Sequence, residues 1–393
     1  MVEAAQWVFV PVAGALLADW GADVVHIEPI EGDPYRGLAT QGIGTDRGGV
    51  NLSLALANRG KRSIALDIRS EAGAGVVHRL LESADVFLTN MRPAALRRAG
   101  LDPETITGRY PRLVYARGSG YGARGPDADQ AGYDATAFWS RGGVGHVLTP
   151  PERDYPIMQR GAMGDRNGAM ALAFGVAAAL LERTRTGTGT VVDVSLLATA
   201  MWTLSSDILA ALVGDEPRAP GGRGPLVNPV TTSYRTKDGR HILLMFLQAD
   251  RYWPDFCRLI DRQDLLADPR FADLAARREH AAACVAELDA EFAKRTFEEW
   301  TELLGRIDAP WAPFQSVSEL LDDPQVAANG YLGDVEVDGA IAYRLPAVPV
   351  QFDGRPPALR RAPEHGEDTE SLLVELGYSW EEIISLKEAG VVP

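Results

Sequence analysis

Short apolar runs alternate with stretches of helical spacing over the first 120 residues of the chain. The apolar runs predict buried strands, and the stretches between them repeat apolar side chains every three or four residues, which predicts helices. This strand–helix alternation predicts a parallel α/β sheet. Strands are predicted over 2–7, 23–28, 63–67, 85–89 and 112–116, and helices over 12–20, 70–81, 94–99 and from Pro103.

The pattern continues after a long loop. Residues 120–165 are rich in Gly, Pro and Asp, which is typical of functional loops. A helix is predicted over 167–183, a strand over 190–194 and another helix over 196–212. Because Ala, Leu and other apolar residues occupy most faces of both helices, we predict that both are buried.

A change of composition predicts a second domain. Residues 214–225 are rich in Gly, Pro and Arg and predict a linker. Beyond it, Lys237-Asp-Gly239 predicts a hairpin, and amphipathic helices run from about 251 to about 323. A second hairpin is predicted near 335–352 and a helical pair near 369–389. We therefore predict a large α/β domain at 1–213 that is completed by 330–393, a linker at 214–225 and a small α+β domain at 226–329.

Charge and cysteine content exclude several classes of protein. The formal charge is −15 at pH 7, whereas a nucleic-acid-binding protein needs a basic surface, so any anionic ligand must be held by local arginines. Two cysteines cannot build a disulfide framework or a tetrahedral zinc site. No apolar run reaches the roughly 18 residues of a membrane span, and the N-terminus lacks a signal-peptide pattern. We expect a cytoplasmic protein that binds neither nucleic acid nor membrane.

Common catalytic motifs are missing or incomplete. Gly120-Tyr-Gly-Ala-Arg-Gly125 fits the G-x-G-x-x-G pattern, but no apolar helix follows it to present its N-terminus to a pyrophosphate. A glycine-rich turn that shapes a cleft is the better interpretation. The six histidines are scattered without metal-ligand spacing, and no G-x-S-x-G elbow occurs. Metal and serine-hydrolase chemistry are therefore not expected.

Asp165 lies immediately before the predicted helix at 167–183, in a segment that contains several glycines. An aspartate there can cap the helix by accepting backbone N–H bonds. A carboxylate held ionised at a helix N-terminus, with glycines leaving room for a substrate, can also act as a nucleophile. These residues alone leave both interpretations open.

A series of motifs covers nearly the whole chain in a specific order. They are Leu16–Glu28 with Gly32–Arg36, Asn58–Asp67, Ala84–Pro93, Gly120–Gly122 with Gly125-Pro126, Gly164–Gly189, Pro310–Phe314 with Asp323-Pro324, and Gly366–Thr369 with Leu376–Tyr378. Each motif is weak by itself, but together and in this order the chain resembles the class III CoA-transferases of the CaiB/BaiF type.

The resemblance implies a fold, an assembly and a reaction. The fold would be α/β, with a large Rossmann-like parallel-sheet domain and a smaller α+β domain, in an interlocked homodimer. Asp165 falls where the family has its catalytic aspartate, which attacks an acyl-CoA to form an acyl-aspartyl anhydride and then an aspartyl-CoA thioester. Acyl-CoA and a carboxylic acid would be the substrates, with coenzyme A as substrate and no tightly bound cofactor or metal.

The resemblance also implies where CoA binds. Guanidinium groups suit phosphates, which explains the use of arginine on an acidic protein. The positions that match the family's CoA contacts are Arg36, Leu66, Arg69, Asn90, Met91 and Arg98.

Two departures discriminate within the family. The racemase branch pairs its aspartate with a histidine, but this chain has Tyr133 followed by Asp134, as the transferase branch commonly has. A phenol is a poor partner for two-base proton exchange at neutral pH. Residues 220–226 lack the longer glycine-rich lid of the formyl-CoA/oxalate enzymes, which argues against oxalate. CoA transfer is thus the leading hypothesis; an isomerase at the α-carbon of a 2-methylacyl-CoA and a non-catalytic CoA-binding subunit are the alternatives.

Overall fold

The computed structural model describes residues 1–38, 46–47, 50–215 and 228–393 of the chain. The chain divides into two compact units, one formed by Met1–Pro220 with Pro324–Pro393 and the other by Gly221–Asp323. Residues 324–329, assigned to the small domain by the predicted boundary, belong to the larger unit. Apart from residues 214 and 215, the predicted linker at 214–225 and the segment 220–226 lie outside the described residues.

The larger unit is built around a six-stranded sheet, which confirms the predicted parallel α/β architecture. The strand order is β5-β2-β1-β6-β7-β8, so the chain starts in the middle, winds outward to one edge, and then returns beside β1 to build the other half. This topology leaves a crevice at the carboxyl ends of β1 and β6, where the winding direction reverses. The strands are β1 (Val2–Ala4), β2 (Val25–Glu28), β5 (Arg62–Ala65), β6 (Val86–Thr89), β7 (Val114–Ser119) and β8 (Val191–Ser195), with a small pair β3 (Asp46–Arg47) and β4 (Val50–Asn51).

Successive residues of a strand point to opposite faces of the sheet. Both faces of this sheet carry apolar side chains, and helices cover both. Val86 and Leu88 enter one apolar core, while Phe87 between them enters the other. The C-terminal helices supply Leu372 and Ile383 to the second core, so the tail packs on the larger unit. The helices are α1 (Phe9–Asp19), α2 (Leu52–Asn58), α3 (Glu71–Glu82), α4 (Pro93–Ala99), α5 (Pro103–Arg109), α6 (Val144–Leu148), α7 (Met163–Thr186), α8 (Leu196–Thr203), α9 (Ser205–Leu212), α15 (Pro324–Ala328), α16 (Thr369–Glu375) and α17 (Trp380–Glu388). A hairpin of β12 (Leu332–Val337) and β13 (Ala340–Pro346) confirms the second predicted hairpin.

Three predictions about the central helices are wrong. Helix α7 begins at Met163 rather than 167, and the predicted helix at 196–212 is two helices that meet at Leu204. Neither region is fully buried in this chain, since Phe174 on α7 and Trp202 on α8 are 74% and 82% exposed. Apolar residues on every side of a helix indicate that each face can be buried. They do not indicate which faces are buried by other residues of the same chain.

The smaller unit is an antiparallel sheet with helices, in strand order β11-β10-β9. The predicted hairpin is confirmed, with Gly239 at a φ of 83° in its turn. Cys257 and Cys284 are buried free thiols, and burial raises the pKa of each to about 12. The elements are β9 (Ser233–Arg235), β10 (His241–Leu244), β11 (Trp311–Pro313), α10 (Ala249–Leu259), α11 (Gln263–Ala267), α12 (Leu274–Glu279), α13 (Ala281–Phe292) and α14 (Phe297–Leu304).

The described residues contain neither a membrane-spanning helix nor a metal-binding cluster. Of the helices found there, none is both long enough and apolar enough to cross a membrane. Nor do those residues contain a group of three or more His, Cys, Asp or Glu side chains that could hold a metal ion.

Candidate active site

Asp165 lies in the first turn of α7, two residues after the helix begins. The structure rules out the interpretation of Asp165 as an N-cap, because Ala162 occupies that position with a left-handed φ of 62°. The cap comes instead from Asp134, thirty residues earlier, whose Oδ2 accepts the N–H of Gly164 at 3.0 Å and that of Asp165 at 3.4 Å. Asp134 thus satisfies helix N–H groups that have no partner within the helix, and the Asp165 side chain is left for another task.

The Asp165 carboxylate sits in surroundings that disfavour its charge. Burial raises its pKa to about 7, the negative charge of Asp134 adds to this rise, and the Arg166 guanidinium opposes it. No hydrogen bond to this carboxylate comes from any described residue. A carboxylate that is partly removed from water and accepts no hydrogen bond from the described residues is a better nucleophile than a fully solvated one, and its raised pKa is typical of functional sites.

Glycine makes the close contact between Asp134 and α7 possible. A Cβ at Gly164 would lie 2.2 Å from Cγ of Phe138 and 2.6 Å from Oδ1 of Asp134. Any larger residue would therefore push the start of α7 away from its cap. Close packing against Phe138 and Asp134 therefore explains why glycine precedes Asp165 in the sequence motif.

Tyr133 stands at the surface next to this carboxylate pair, with 57% of its side chain exposed. Its ring meets the ring of Trp7 edge-on, with centroids 5.7 Å apart, and Trp7 also contacts Tyr35 with centroids 6.3 Å apart. Of the three residues predicted to be catalytic, Asp134 and Asp165 are therefore brought together at the start of α7, while Tyr133 precedes Asp134 and packs against Trp7.

A cavity of about 640 Å³ lies in the crevice at the carboxyl ends of the parallel strands. Its wall comes from segments that follow β1, β2, β5 and β6 and from helix α4. Of the six predicted CoA contacts, four line it: Leu66, Arg69, Met91 and Arg98. Met91 is partly buried and supplies apolar surface, whereas the Leu66 side chain is buried in the core behind the wall. Arg69 is 81% exposed and pairs with Asp67, whereas no carboxylate of the described residues pairs with Arg98.

The other two predicted contacts, Arg36 and Asn90, are not part of this wall. Arg36 makes a bidentate ion pair with the fully buried Glu28, at 2.7 Å and 2.6 Å. Burial acts to raise the pKa of Glu28, but the Arg36 hydrogen bonds and charge lower it to about 2. Asn90 exchanges two hydrogen bonds with the backbone of Gln6, at 3.0 Å and 2.6 Å, and so ties the end of β6 to the end of β1. Both residues therefore support the backbone around the cavity.

Two residues that are not among the predicted catalytic or CoA-binding residues, Asp33 and Trp7, also shape the site. Asp33 is buried and accepts the backbone N–H groups of both Trp7 and Tyr35. Trp7 has a left-handed φ of 72°. Nothing in the local sequence around Trp7 or Asp33 indicates these contacts, since the two residues are 26 positions apart; only the D-P pair at 33–34, typical of a turn, was a visible signal.

The chain is similar to known CoA-transferases and to CaiB/BaiF family proteins. Residues 1–369 match the family described as CoA-transferase family III, and the chain belongs to this family of enzymes. It is 34% identical to (R)-2-hydroxy-4-methylpentanoate CoA-transferase of Clostridioides difficile, over 100% of this chain and 98% of that protein. It is also 34% identical to cinnamoyl-CoA:phenyllactate CoA-transferase of Clostridium sporogenes, over 99% and 95%. The crystal structure of a CaiB/BaiF family protein from Brucella suis superposes with a TM-score of 0.79 at 29% identity, covering 95% of this chain and 97% of that one.

Proposed function

We propose that this enzyme moves CoA from an acyl-CoA donor to a carboxylic acid, with Asp165 as the nucleophile. The observation that carries this proposal is the Asp165 carboxylate: it lies in the first turn of α7, it accepts no hydrogen bond from the described residues, and its pKa is raised to about 7. Family membership supports the reaction class, and the cavity beside β1 supports the binding of a nucleotide-sized group.

Four covalent steps complete the transfer. An Asp165 oxygen attacks the thioester carbonyl, the C–S bond breaks, and an acyl-aspartyl anhydride and CoA thiolate form. The thiolate attacks the Asp165 carbonyl of the anhydride, which releases the donor's carboxylate and leaves an aspartyl-CoA thioester. The acceptor carboxylate attacks this thioester and expels CoA thiolate, which finally attacks the acceptor's carbonyl. Acceptor-CoA leaves, and Asp165 is again a carboxylate with no net proton exchanged.

The site favours the first step electrostatically. In the resting enzyme Asp165 carries its charge in a desolvated position beside the negative charge of Asp134. Both the anhydride and the thioester remove the charge from Asp165. Forming either intermediate therefore relieves an unfavourable interaction that Asp134 and burial impose on the free enzyme.

CoA would bind in the cavity, with coenzyme A as a substrate rather than a resident cofactor. Met91 provides apolar surface for the adenine, and Arg69 and Arg98 provide charge for the phosphates. Arg36 and Asn90 act indirectly, by holding the backbone next to the cavity.

We propose further that one of the two acids is a 2-hydroxy acid with an apolar side chain. The two relatives at 34% identity are named for 2-hydroxy-4-methylpentanoate and phenyllactate, which share a 2-hydroxyl group and an apolar side chain.

The working form would be a homodimer, interlocked as in the family that the motifs resemble. Helices α7 to α9 support it, because they expose large apolar side chains on the larger unit, among them Phe174, Trp202, Leu209 and Leu212. Such a patch on a single chain is typical of an interface. The molar mass in solution, measured by light scattering, tests the dimer directly.

Intact-mass spectrometry tests the chemistry. The protein is incubated with a panel of acyl-CoAs and quenched with hydroxylamine, which traps the activated aspartate as a hydroxamate. We expect a hydroxamate at Asp165 with the correct donor, and none with Asp165→Asn, which should still bind CoA. Turnover by Asp165→Asn would refute the proposal. The absence of any adduct, together with deuterium exchange at the α-carbon without an acceptor acid, would favour the isomerase.

A further inference from the structure

Two strained backbone positions lie in segments that build the candidate site. Five non-glycine residues in the described parts of the chain have a left-handed φ, and three of them are aspartates, a residue type that tolerates this conformation. The other two are Ala162, the N-cap of α7, and Trp7, which follows β1. A bulky aromatic residue at positive φ is unfavourable, and such strain persists where the surrounding structure enforces it, often at functional sites.

A buried carboxylate enforces the conformation of Trp7. Asp33 accepts the Trp7 N–H at 3.2 Å and the Tyr35 N–H at 2.8 Å. The backbone of Asp33 is fixed in turn, because its own N–H donates a hydrogen bond to the buried Glu28 carboxylate at 3.0 Å. One fixed group therefore positions the backbones of both Trp7 and Tyr35, and so presents their rings together.

The three rings form an aromatic cluster, which consists of Trp7, Tyr35 and Tyr133. Trp7 is half-buried and stands in the middle, edge-on to Tyr133 and tilted against Tyr35. The Tyr35 hydroxyl is hydrogen-bonded to Ser53, which leaves its ring as apolar surface. The cluster offers a rigid apolar wall in an otherwise polar neighbourhood.

The aromatic cluster connects the cavity to the nucleophile. Gln6, the residue before Trp7, lines the cavity. Asp134, the residue after Tyr133, hydrogen-bonds the backbone of Asp165. Because the cluster adjoins a cavity-lining residue on one side and the cap of α7 on the other, an acyl group that extends from a CoA in the cavity to Asp165 would run alongside this wall.

We propose that the aromatic cluster binds the side chain of the transferred acyl group, and that Trp7 makes the enzyme prefer branched or aromatic side chains over a methyl group. This proposal rests on the proposed function and adds a residue that determines specificity. Trp7 contacts the substrate's side chain and not the reacting carbonyl, so its loss changes selectivity rather than chemistry.

The test compares 2-hydroxyacyl-CoA donors that carry a methyl, an isobutyl or a benzyl side chain, with one fixed acceptor. In Trp7→Gly the ring is removed and the left-handed φ becomes unstrained, whereas Trp7→Ala removes the ring and keeps the strain. We expect both variants to lower the benzyl-to-methyl ratio of kcat/KM by about tenfold or more, while the Kd for free CoA is unchanged. Trp7→Phe keeps an aromatic wall and should stay within about threefold of the wild type.

Trp20→Ala is the matched control. Trp20 is a half-buried tryptophan at the opposite end of α1, packed edge-on against Phe352. Its loss removes a similar amount of packing but should leave the ratio unaltered. A uniform decrease for all three donors in Trp7→Gly, or a ratio equal to that of the wild type, would overturn the role of Trp7.

Binding without turnover separates this proposal from the proposed function. Thioether analogues of the three donors are titrated into Asp165→Asn with and without Trp7→Gly. A preference for the benzyl analogue that disappears with Trp7→Gly supports the aromatic cluster as the binding site even if no donor is turned over. A different result separates the two proposals. If the wild type transfers CoA but Asp165→Asn prefers the benzyl analogue equally with and without Trp7→Gly, the role of Trp7 in selectivity is wrong and the proposed transferase activity is unaffected.

Discussion

The environment of Asp165 makes a prediction about stability as well as catalysis. An aspartate has a pKa of 3.8 in the unfolded chain, whereas the folded protein raises that of Asp165 to about 7. Between these two pH values the Asp165 carboxyl group is ionised in the unfolded chain but still protonated in the folded protein. Stability is therefore lost as the pH rises from about 4 to about 7, and the total loss from this one group is about 4 kcal/mol.

Asp165→Asn removes the titration and keeps the shape of the side chain. Relative to the wild type, we expect the variant to have a similar unfolding free energy near pH 4 and to be more stable by up to about 4 kcal/mol near pH 8. The gain at high pH should accompany complete loss of CoA transfer, because the same carboxylate is the nucleophile.

Urea unfolding at a series of pH values from about 4 to about 8 measures this difference. Asp154→Asn is the control: Asp154 is exposed in the larger unit, so its replacement should leave the pH dependence of stability unchanged. A difference between Asp165→Asn and the wild type that is constant across this range would refute the reasoning, since desolvation of a charge must produce a pH-dependent difference. So would a variant that is less stable than the wild type at about pH 8.

Four further predictions concern the site and the residues around it. The kcat/KM for the acyl-CoA should rise with pH, about tenfold per pH unit, and level off above about 7, because only ionised Asp165 attacks; a flat profile would contradict this. Asp134→Ala should reduce the unfolding free energy by about 1 kcal/mol through the lost cap and shift the pH–rate midpoint downward, an effect that a purely structural role would not produce. Arg98→Ala should weaken CoA binding by at least about tenfold in calorimetry through a lost phosphate contact. Arg36→Ala should instead reduce the unfolding free energy by about 3 kcal/mol or more, because it leaves Glu28 buried and unpaired; a similar loss of CoA affinity without destabilisation would reverse the assignments of the two arginines.

Local patterns were sufficient for the elements of the sheet. Each strand of the six-stranded sheet overlaps a predicted apolar run, and α1, α3, α4 and α5 overlap predicted helices, whereas α2 (Leu52–Asn58) was not predicted. The predicted helix over 70–81 is observed as Glu71–Glu82, with the Ser70 side chain capping it as its position indicated. The family motifs also place Asp165 correctly at the start of a helix, although the helix begins four residues earlier than periodicity suggests.

The ends of helices and the hydrogen-bond and ion-pair partners of side chains depend on tertiary contacts that local sequence does not show. Periodicity does not reveal that Asp134, rather than Asp165, caps α7, because the two partners of the capping hydrogen bond are thirty residues apart in the chain. The motif match treats Arg36 and Arg98 alike, but folding brings buried Glu28 to Arg36 and leaves Arg98 at the cavity. The guanidinium group is the same in both, and only its neighbours separate a structural ion pair from a candidate phosphate ligand.

The sequence by itself determined the α/β class, the family and the identity of the candidate nucleophile, since these follow from residue types and their spacing. Tertiary structure alone decided the chemistry available to that nucleophile. The raised pKa of Asp165 comes from burial and from Asp134, and the conformation of Trp7 comes from Asp33. Both effects depend on distances between residues that are far apart in the chain, and such distances exist only once the sheet has assembled.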